Sequence, residues 1–525
     1  MTIPSWEAIY PACRRLLPPA LWRQLAAGDD PACLPGLLEE AEAGSVGLPP
    51  YLQELARLEW ASHRVREEAT TIAPVTVLAL NPTLQLLDLA WQGLALLAGW
   101  GERSMTPRSG PERLLLWWAP ADGAVRCRPA TAEDLLVLKV VAEGIDPRTA
   151  AELGGVSVGS IDNALRRAVE RGLLLAPPSR LRRDDSMFPL AGVAEERLSA
   201  AVFTLQWHIT QACDLHCKHC YDRSSRPPVS LAQGLAVLDD LRDFCRDRQV
   251  IGQVSFTGGN PLLHPDFLAL YRAAAERGLN TAILGNPASR AVLREMVAIQ
   301  QPAFFQVSLE GLEQHNDFIR GQGHFRRVLD FLDLLRELDI YSMVMLTLTR
   351  DNLAEVLPLA EVLRNKVDLF TFNRLAMVGE GARLLSVRPE EYPAFLAGYM
   401  AAAERNPAMS LKDNLLNLLR HQQGLPLFGG CTGYGCGAAF NFLSLLSDGE
   451  AHACRKFPSP IGNLYRQRLA EVYDGSAARK YRAGSQTCRS CPIRPSCGGC
   501  LAVAHGFGLD ATRERDPYCF LPPVD

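Results

Sequence analysis

Three cysteines stand close together near the middle of the chain, at Cys213, Cys217 and Cys220. Two further cysteines at these offsets rarely occur by chance, even with 15 cysteines among 525 residues. A four-iron cluster has four ligand positions, so three thiolates leave one iron open for another ligand. A zinc site or a group of buried thiols is the alternative. The position of this CxxxCxxC run, directly after a predicted strand, favours an iron-sulfur cluster.

The C-terminal region contains a second, larger set of thiols. Eight cysteines are enough for two complete four-iron clusters, and they are Cys431, Cys436, Cys454, Cys488, Cys491, Cys497, Cys500 and Cys519. After about residue 410 the sequence is loop-rich and has little apolar periodicity, so we expect metal binding to supply folding free energy there. Structural zinc at some of these positions is the alternative. The remaining four, Cys13, Cys33, Cys127 and Cys245, are predicted to be small buried hydrophobes.

The elements that must position the first thiol set form a regular pattern. Strand-like runs alternate with helical segments six times, and the predicted strands are 203–210, 253–257, 280–285, 304–309, 342–349 and 367–374. Such alternation implies a parallel sheet, here a partial (βα)6 barrel of the α/β class. Functional residues are expected at the carboxyl ends of these strands.

The remaining sequence predicts four further segments around this barrel. Residues 1–105 are predicted to be helical, including an amphipathic helix between Leu84 and Trp100. Thr131 with Asp134 has the pattern of a capping box, and residues 106–176 predict a winged-helix-like helix-turn-helix domain. The prolines and dense charge of 177–200 indicate a linker. The barrel then spans 201–410 and the cysteine-rich domain 411–525.

Composition narrows the class of protein without naming an activity. The chain is 48% hydrophobic and 21% charged, values typical of soluble globular proteins. Its net charge of −4 gives no overall attraction to nucleic acid or anionic lipid. We predict no signal peptide, no transmembrane segment and a cytoplasmic location. Cytoplasmic thiols stay reduced, so metal ligation is the expected use of the cysteines.

The CxxxCxxC motif resembles that of the radical S-adenosylmethionine (SAM) enzymes. The resemblance implies that the open iron of a [4Fe-4S] cluster binds SAM and that reductive cleavage yields a 5′-deoxyadenosyl radical. It also implies an electron donor such as flavodoxin or ferredoxin. The sequence departs from the family pattern at His219, where an aromatic residue usually precedes the third cysteine.

Further matches to this family lie at successive predicted strand ends. A loop at 257–261 resembles the Gly-Gly-Glu-Pro loop that receives the SAM amino group, with Asn260 in place of glutamate. An amide keeps the acceptor oxygen but loses the charge that favours an ammonium. The other matches resemble positions on the ribose, on the SAM carboxylate and near the cofactor. The resemblance implies that the cofactor-binding residues are Gly258, Gly259, Asn260, Pro261, Asn286, Ser308, Glu310 and Arg320.

The order of the C-terminal cysteines resembles the SPASM domain, which implies two auxiliary [4Fe-4S] clusters. One would be held by Cys431, Cys436, Cys454 and Cys500, and the other by Cys488, Cys491, Cys497 and Cys519. The gap between Cys497 and Cys500 is one residue shorter than usual. Arg455 occupies a position where sulfatase-maturating enzymes have an acidic base, which argues against that activity.

SPASM-bearing radical SAM enzymes mostly modify peptides, so the resemblance implies a post-translational maturase acting on a ribosomal precursor peptide. Residues 258–261, 284–287 and 453–459 look like the selenobiotic-type thio(seleno)oxazole-modification maturases. That subtype implies a precursor containing cysteine or selenocysteine. The sequence identifies no catalytic side chain.

The N-terminal region leaves three interpretations open. Residues 51–61 resemble DNA-binding domains that accompany peptide-modifying iron oxidases. The helix-turn-helix segment, with Arg166, Arg167, Arg171, Arg180, Arg182 and Arg183 nearby, predicts leader-peptide docking, DNA binding or a solvated structural face. The alternative to a maturase is therefore a cluster-bearing DNA-binding regulator, although the acidic chain favours a peptide over DNA. No membrane partner is expected.

Overall fold

The computed structural model describes residues 5–28, 30–44, 47–69, 72–100, 106–184, 186 and 193–522. The chain divides into two compact units, Met1–Pro178 and Ser179–Asp525. Within the described ranges, no helix has the length and apolar character needed to cross a membrane.

The first unit combines helices with two small sheets. Its helices are α1 (Trp6–Ile9), α2 (Pro11–Leu16), α3 (Pro19–Leu25), α4 (Leu34–Gly44), α5 (Leu52–Glu68), α6 (Leu94–Leu97), α7 (Ala132–Ala142), α8 (Pro147–Gly154) and α9 (Val158–Glu170). Its strands are β1 (Ala79–Leu80), β2 (Gln85–Gln92), β3 (Arg108–Ala119), β4 (Ala124–Pro129) and β5 (Leu174–Leu175). Strands β2, β3 and β4 form one antiparallel sheet, and β1 pairs with β5.

Strand β2 corrects the prediction that residues 1–105 are all helical. Leu87, Leu89 and Trp91 are the more buried residues of this strand, and they alternate with exposed neighbours. The amphipathic helix predicted for 84–100 is wrong because Leu86 and Ala90 are apolar although exposed, and they hide the period of two that marks a half-buried strand.

The helix-turn-helix elements form as predicted. Thr131 and Asp134 make the capping box at the start of α7. Asp146 begins α8 by accepting a hydrogen bond from the amide of Arg148 at 2.8 Å. Gly155 then turns the chain into α9 with φ of 60°, a conformation that glycine adopts without strain.

The second unit contains a larger sheet and its flanking helices. The strands are β6 (Val202–Thr210), β7 (Ile251–Gly258), β8 (Asn280–Leu284), β9 (Phe305–Ser308), β10 (Ser342–Leu348), β11 (Leu369–Arg374), β12 (Phe442–Leu445), β13 (Glu450–His452) and β14 (Pro460–Asn463). The helices are α10 (Leu231–Arg248), α11 (Phe267–Glu276), α12 (Arg290–Ile299), α13 (Glu313–Arg320), α14 (His324–Glu337), α15 (Val356–Leu363), α16 (Tyr392–Ala403), α17 (Leu416–Gln422), α18 (Leu469–Asp474), α19 (Ser476–Ala483) and α20 (Leu501–Gly506).

The six predicted barrel strands are confirmed. Strands β6 to β11 are parallel and lie side by side in chain order. Strand β12 from the cysteine-rich region pairs with β6, also in parallel, and β13 and β14 extend the sheet antiparallel. The partial barrel and the cysteine-rich region therefore share one sheet and one continuous hydrophobic core.

The predicted linker at 177–200 is wrong for its described residues. Leu181 is buried, and Arg182 forms a β-bridge with Ser199. The buried Arg183 guanidinium donates to the carbonyl oxygens of Tyr434 at 2.8 Å and Cys436 at 2.7 Å. Dense charge indicated a solvated segment, but distant backbone carbonyls satisfy the guanidinium inside the fold. Residues 185 and 187–192 of the predicted linker lie outside the described ranges.

Candidate functional site

A cavity of about 450 Å³ opens at the carboxyl ends of the parallel strands. All three thiols of the CxxxCxxC loop after β6 line it. The ends of the next three strands contribute Gly258, Gly259, Asn286 and Ser308, and Arg320 at the end of α13 completes this wall. The chain order of the strands thus brings together residues that are more than 100 positions apart.

The three thiols of the CxxxCxxC loop lie in one cavity, where two nitrogen donors approach them. Cys213 is exposed and the other two are half-buried. Burial raises the pKa of the Cys213 and Cys217 thiols. The Cys220 thiol adds to both shifts and the Cys213 thiol adds to that of Cys217, so the three thiols lie near one another. Arg320 Nη1 lies 3.7 Å from Cys217 Sγ, and Asn286 Nδ2 lies 3.8 Å from Cys213 Sγ. These donors favour the thiolates that a cluster needs.

Within the described residues, no group of three or more His, Cys, Asp and Glu side chains is arranged for a single metal ion.

The glycine loop after β7 packs directly on the cysteine loop. A Cβ atom at Gly258 would lie 2.1 Å from the Thr210 carbonyl oxygen, and one at Gly259 would lie 2.2 Å from that of Ala212. The Gly259 amide donates to the Thr210 carbonyl at 2.9 Å, and the next amide donates to the Ala212 carbonyl at 2.7 Å. Any larger residue would separate the two loops.

Asn260 and Asn286 converge on a carboxylate that the sequence analysis missed. Both side-chain amides donate to Oδ1 of Asp214, at 3.1 Å and 2.6 Å. Asn260 is buried, and neither it nor Pro261 lines the cavity. Of these two amides, only that of Asn286 reaches the cavity wall. The signal in the sequence was the acidic residue directly after Cys213.

Glu310 forms a buried ion pair with Arg320. Its Oε1 accepts from Arg320 Nη2 at 2.6 Å and from Nε at 2.9 Å, while Oε2 accepts from the Thr347 amide at 2.8 Å. Burial alone would raise the pKa of Glu310, but the neighbouring His219 and Arg320 side chains and the hydrogen bond from the Thr347 amide outweigh it and lower the pKa. Glu310 does not line the cavity, so the structure makes it the residue that orients Arg320.

His219 completes this group at the position where the sequence departs from the family pattern. Burial lowers the pKa of His219 to about 4, so the ring is neutral near neutral pH. Its Nε2 lies 3.3 Å from both Glu310 Oε1 and Arg320 Nη2. The ring lines the cavity, and among the described residues its Nδ1 has no hydrogen-bond partner.

The C-terminal thiols form two groups of neighbours. Cys431, Cys436, Cys454 and Cys500 line a second cavity of about 60 Å³. Burial and the neighbouring thiols of this set raise the pKa of Cys436 to about 12 and that of Cys454 to about 11. In the other group, burial raises the pKa of Cys488, Cys497 and Cys519, and the neighbouring Cys491 thiol raises each of these values further. The sets interlock, since the Cys436 amide donates to the Cys497 carbonyl at 3.0 Å.

The four remaining cysteines follow the prediction in part. Cys13 and Cys245 are buried, and Cys127 is half-buried. Cys33 is exposed, so the prediction that it is a buried hydrophobe is wrong. It is the last residue of the short helical turn that Asp30 begins, and its thiol donates to the Asp30 carbonyl at 2.8 Å.

Comparison with protein families agrees with this geometry. Residues 207–363 match the radical SAM superfamily, and residues 436–492 match SPASM, an iron-sulfur cluster-binding domain. The chain has a radical SAM domain followed by a SPASM domain. These domains indicate [4Fe-4S] clusters and SAM as the cofactors.

Curated relatives with such domains have different names. An AdoMet-dependent heme synthase from Methanosarcina barkeri is 26% identical over 344 residues, which cover 61% of this chain and 96% of that protein. The subtilosin biosynthesis protein AlbA from Bacillus subtilis is 22% identical and covers 56% of this chain and 66% of its own. The mycofactocin maturase MftC from Mycobacterium tuberculosis is 26% identical, with 62% and 84% covered.

Arg374, at the end of β11, joins the radical SAM and SPASM domains and was not predicted from the sequence. It makes a buried bidentate ion pair with Asp516 at 2.7 Å, and its Nε donates to Asp413 at 2.8 Å. Asp516 Oδ2 also accepts from the Cys500 amide at 2.8 Å. Arg374, Asn373 and Lys456 line both cavities, so one wall separates the CxxxCxxC thiols from the first SPASM set.

Proposed function

We propose that this protein reductively cleaves SAM to a 5′-deoxyadenosyl radical and uses the radical to modify a ribosomally made precursor peptide containing cysteine or selenocysteine. The observation that carries the proposal is the single cavity in which three thiols meet the ends of three successive barrel strands. Three thiolates leave one iron free for SAM, and the strand ends supply polar groups around that position.

In this proposal Cys213, Cys217 and Cys220 hold the SAM-binding cluster, which supplies the electron for radical formation when it is loaded and reduced. The Gly258–Gly259 backbone, Asn286, Ser308 and Arg320 line the space for SAM. Asn260 and Glu310 do not line this space. Asn260 holds Asp214 in place by a hydrogen bond, and Glu310 holds Arg320. The two SPASM thiol sets each hold one auxiliary [4Fe-4S] cluster, and a flavodoxin or ferredoxin supplies electrons.

The peptide substrate is supported by the relatives and by particular residues. AlbA is named for the biosynthesis of a bacteriocin, and MftC is named a maturase. The thio(seleno)oxazole subtype rests on the residues at 258–261, 284–287 and 453–459. No side chain is assigned as the catalytic acid or base, because the cavity presents no carboxylate free of an ion pair among the described residues.

A tetrapyrrole substrate is the second candidate. One observation favours it. The relative from M. barkeri is named a heme synthase, and the match covers 96% of its length. The two candidates differ in whether the modified product is a peptide or a tetrapyrrole, so product analysis distinguishes them.

DNA binding by the helix-turn-helix segment receives less support from the structure. Arg167 lies in α9, and Arg171 is the residue that caps its C-terminus. Both form ion pairs with Glu133, and Arg171 also forms one with Asp134. Arg182 pairs with Glu195 in the second unit. These carboxylates offset charge that a DNA-binding helix would present to phosphates. We therefore propose that the first unit engages the leader of the precursor peptide.

The test is co-expression of short cysteine-rich peptides encoded near the gene with the wild-type protein or with Cys217→Ala. A peptide mass change that occurs only with the wild type is the expected result. Cys245→Ala is the matched control, because this thiol is buried in α10 and should not affect the reaction. Failure of the purified, cluster-loaded protein to form 5′-deoxyadenosine from SAM would overturn the proposal.

A further inference from the structure

Two adjacent cations of the SPASM domain, Arg455 and Lys456, line the radical SAM cavity. Both side chains are half-buried. Within the described ranges, neither makes an ion pair with a carboxylate. Lys456 lies beside the first SPASM thiol set, where its charge lowers the pKa of Cys454 and Cys500 against the effect of burial.

The other cavity cations already have partners, which makes Arg455 distinctive. Arg320 pairs with Glu310, and Arg374 pairs with Asp413 and Asp516. Arg223 donates to the Cys217 carbonyl at 2.8 Å. A half-buried guanidinium has lost part of its hydration, so an anion that enters the cavity gains more from it than from a solvated cation.

The contacts of Arg455 hold it on a particular wall. Its guanidinium carbon lies 5.8 Å from the ring centroid of the half-buried Tyr221, which follows Cys220. Arg455 comes after β13, on the β12–β14 side of β6, whereas β7, β8 and β9 lie on the other side of β6. Arg455 therefore lies on one side of β6, and the strand ends proposed to bind SAM lie on the other side.

We propose that Arg455 is the docking residue for a carboxylate of the substrate, namely an acidic side chain of the precursor peptide near the residue that reacts. This inference rests on the proposed peptide function and deepens it. A planar guanidinium matches a carboxylate by two parallel hydrogen bonds, which gives orientation as well as affinity. A porphyrin propionate presents the same chemical group, so the experiment includes both sources.

The experiment uses the full chain, loaded with clusters and SAM and left unreduced, so that it measures binding rather than turnover. The probes are a bead library of acetylated, amidated octapeptides with one fixed cysteine and, as the second carboxylate source, iron coproporphyrin III, a porphyrin with propionate groups. We expect the wild type to select Asp or Glu at one spacing from cysteine. A selected Glu peptide should bind about tenfold more tightly than its Gln counterpart, as one charge-assisted contact predicts.

Arg455→Gln should bind the two peptides equally, and Arg455→Lys should keep part of the preference. Arg466→Gln is the matched control, because Arg466 is an exposed arginine of the same domain outside the cavity lining, and it should keep the full preference. SAM affinity, measured by equilibrium dialysis, should be the same for Arg455→Gln and wild type.

Each other outcome has a definite meaning. Selection of peptides without acidic enrichment would overturn the carboxylate site and leave the peptide function standing. An acidic preference that survives in Arg455→Gln, or an Arg455→Gln variant whose only defect is in SAM affinity, would overturn it as well. Iron coproporphyrin III bound through Arg455 in preference to every peptide would overturn the peptide function together with this docking assignment. Binding of neither probe would overturn the docking assignment.

Discussion

The buried pair of Glu310 and Arg320 sets the direction in which a guanidinium faces the cysteine loop. Glu310→Gln should lower the free energy of unfolding by about 3 kcal/mol, because it leaves a buried guanidinium without its counter-charge. Urea unfolding measures this change. Glu313→Gln removes an exposed partner of Arg326, and it should cost at most about 0.5 kcal/mol. Equal losses for the two variants would contradict the role of the buried pair.

His324, buried at the start of α14, should make folding sensitive to acid. Burial, followed by the charges of Arg320 and Arg327, lowers its pKa to about 4. The folded state then binds fewer protons than the unfolded state, whose histidine pKa is about 6.5. The contribution of His324 to the free energy of unfolding is therefore fully present above about pH 6.5, and it is lost as the pH falls from there toward about 4.

Between pH 7.5 and pH 5.5 this one group should lower the free energy of unfolding by about 1.4 kcal/mol. Over the same interval, the free energy of unfolding of His324→Gln should fall by about 1.4 kcal/mol less than that of the wild type. Urea unfolding at both pH values measures the difference. His421→Gln is the control, because His421 is exposed. If His324→Gln and wild type showed the same pH dependence, the neutral state inferred for this histidine would be wrong.

At the scale of elements, the segment Ser179–Asp184 is held to the SPASM region by one side chain. Arg183 is 3% exposed, donates to two carbonyls and lies with its guanidinium carbon 3.8 Å from the Phe440 ring centroid. Arg183→Gln should cost about 2–4 kcal/mol, because those buried carbonyls lose charged donors.

Limited proteolysis should show faster cleavage near residue 184 in this variant, with thermal unfolding as the second measure. Arg180→Gln is the control, because Arg180 is exposed and its ion pair is with the exposed Asp247. Unchanged cleavage in Arg183→Gln would show that other contacts hold the segment.

The sequence predicted the six parallel strands correctly because both faces of such strands are buried, which produces continuous apolar runs. The CxxxCxxC loop was found because its three cysteines are close together in the sequence, whereas the division of the C-terminal thiols into two sets was implied by the resemblance to SPASM. Prediction from the sequence failed for β2, where Leu86 is apolar but exposed, and for Arg183, whose partners lie about 250 residues away. The Arg374–Asp516 pair, separated by 142 residues, has no local sequence signal for the same reason.

At the scale of the molecule, each unit has hydrophobic cores of its own. The core of the second unit draws its buried residues from 181 to 518, and those of the first unit lie between 9 and 174. A fragment of residues 179–525 should therefore fold, bind iron and form 5′-deoxyadenosine at a rate within about threefold of the full chain, as expected of independent domains.

The same fragment should lose modification of the precursor if the first unit binds the leader peptide. Iron content, circular dichroism and product analysis by mass spectrometry measure the three properties. An insoluble fragment would contradict the independence of the second unit, and undiminished peptide modification would contradict the role proposed for the first.

The interlocked SPASM thiols also determine when the protein can mature during its synthesis. Under the proposed assignment, one set is complete only when Cys500 has been made, and the other only when Cys519 has been made. At about 5–20 residues per second, the ribosome needs roughly 4–18 s to pass from Cys431 to Cys519. The first auxiliary cluster cannot be completed before Cys500 is made and the second cannot be completed before Cys519 is made, so a chain that stops before residue 500 can complete neither.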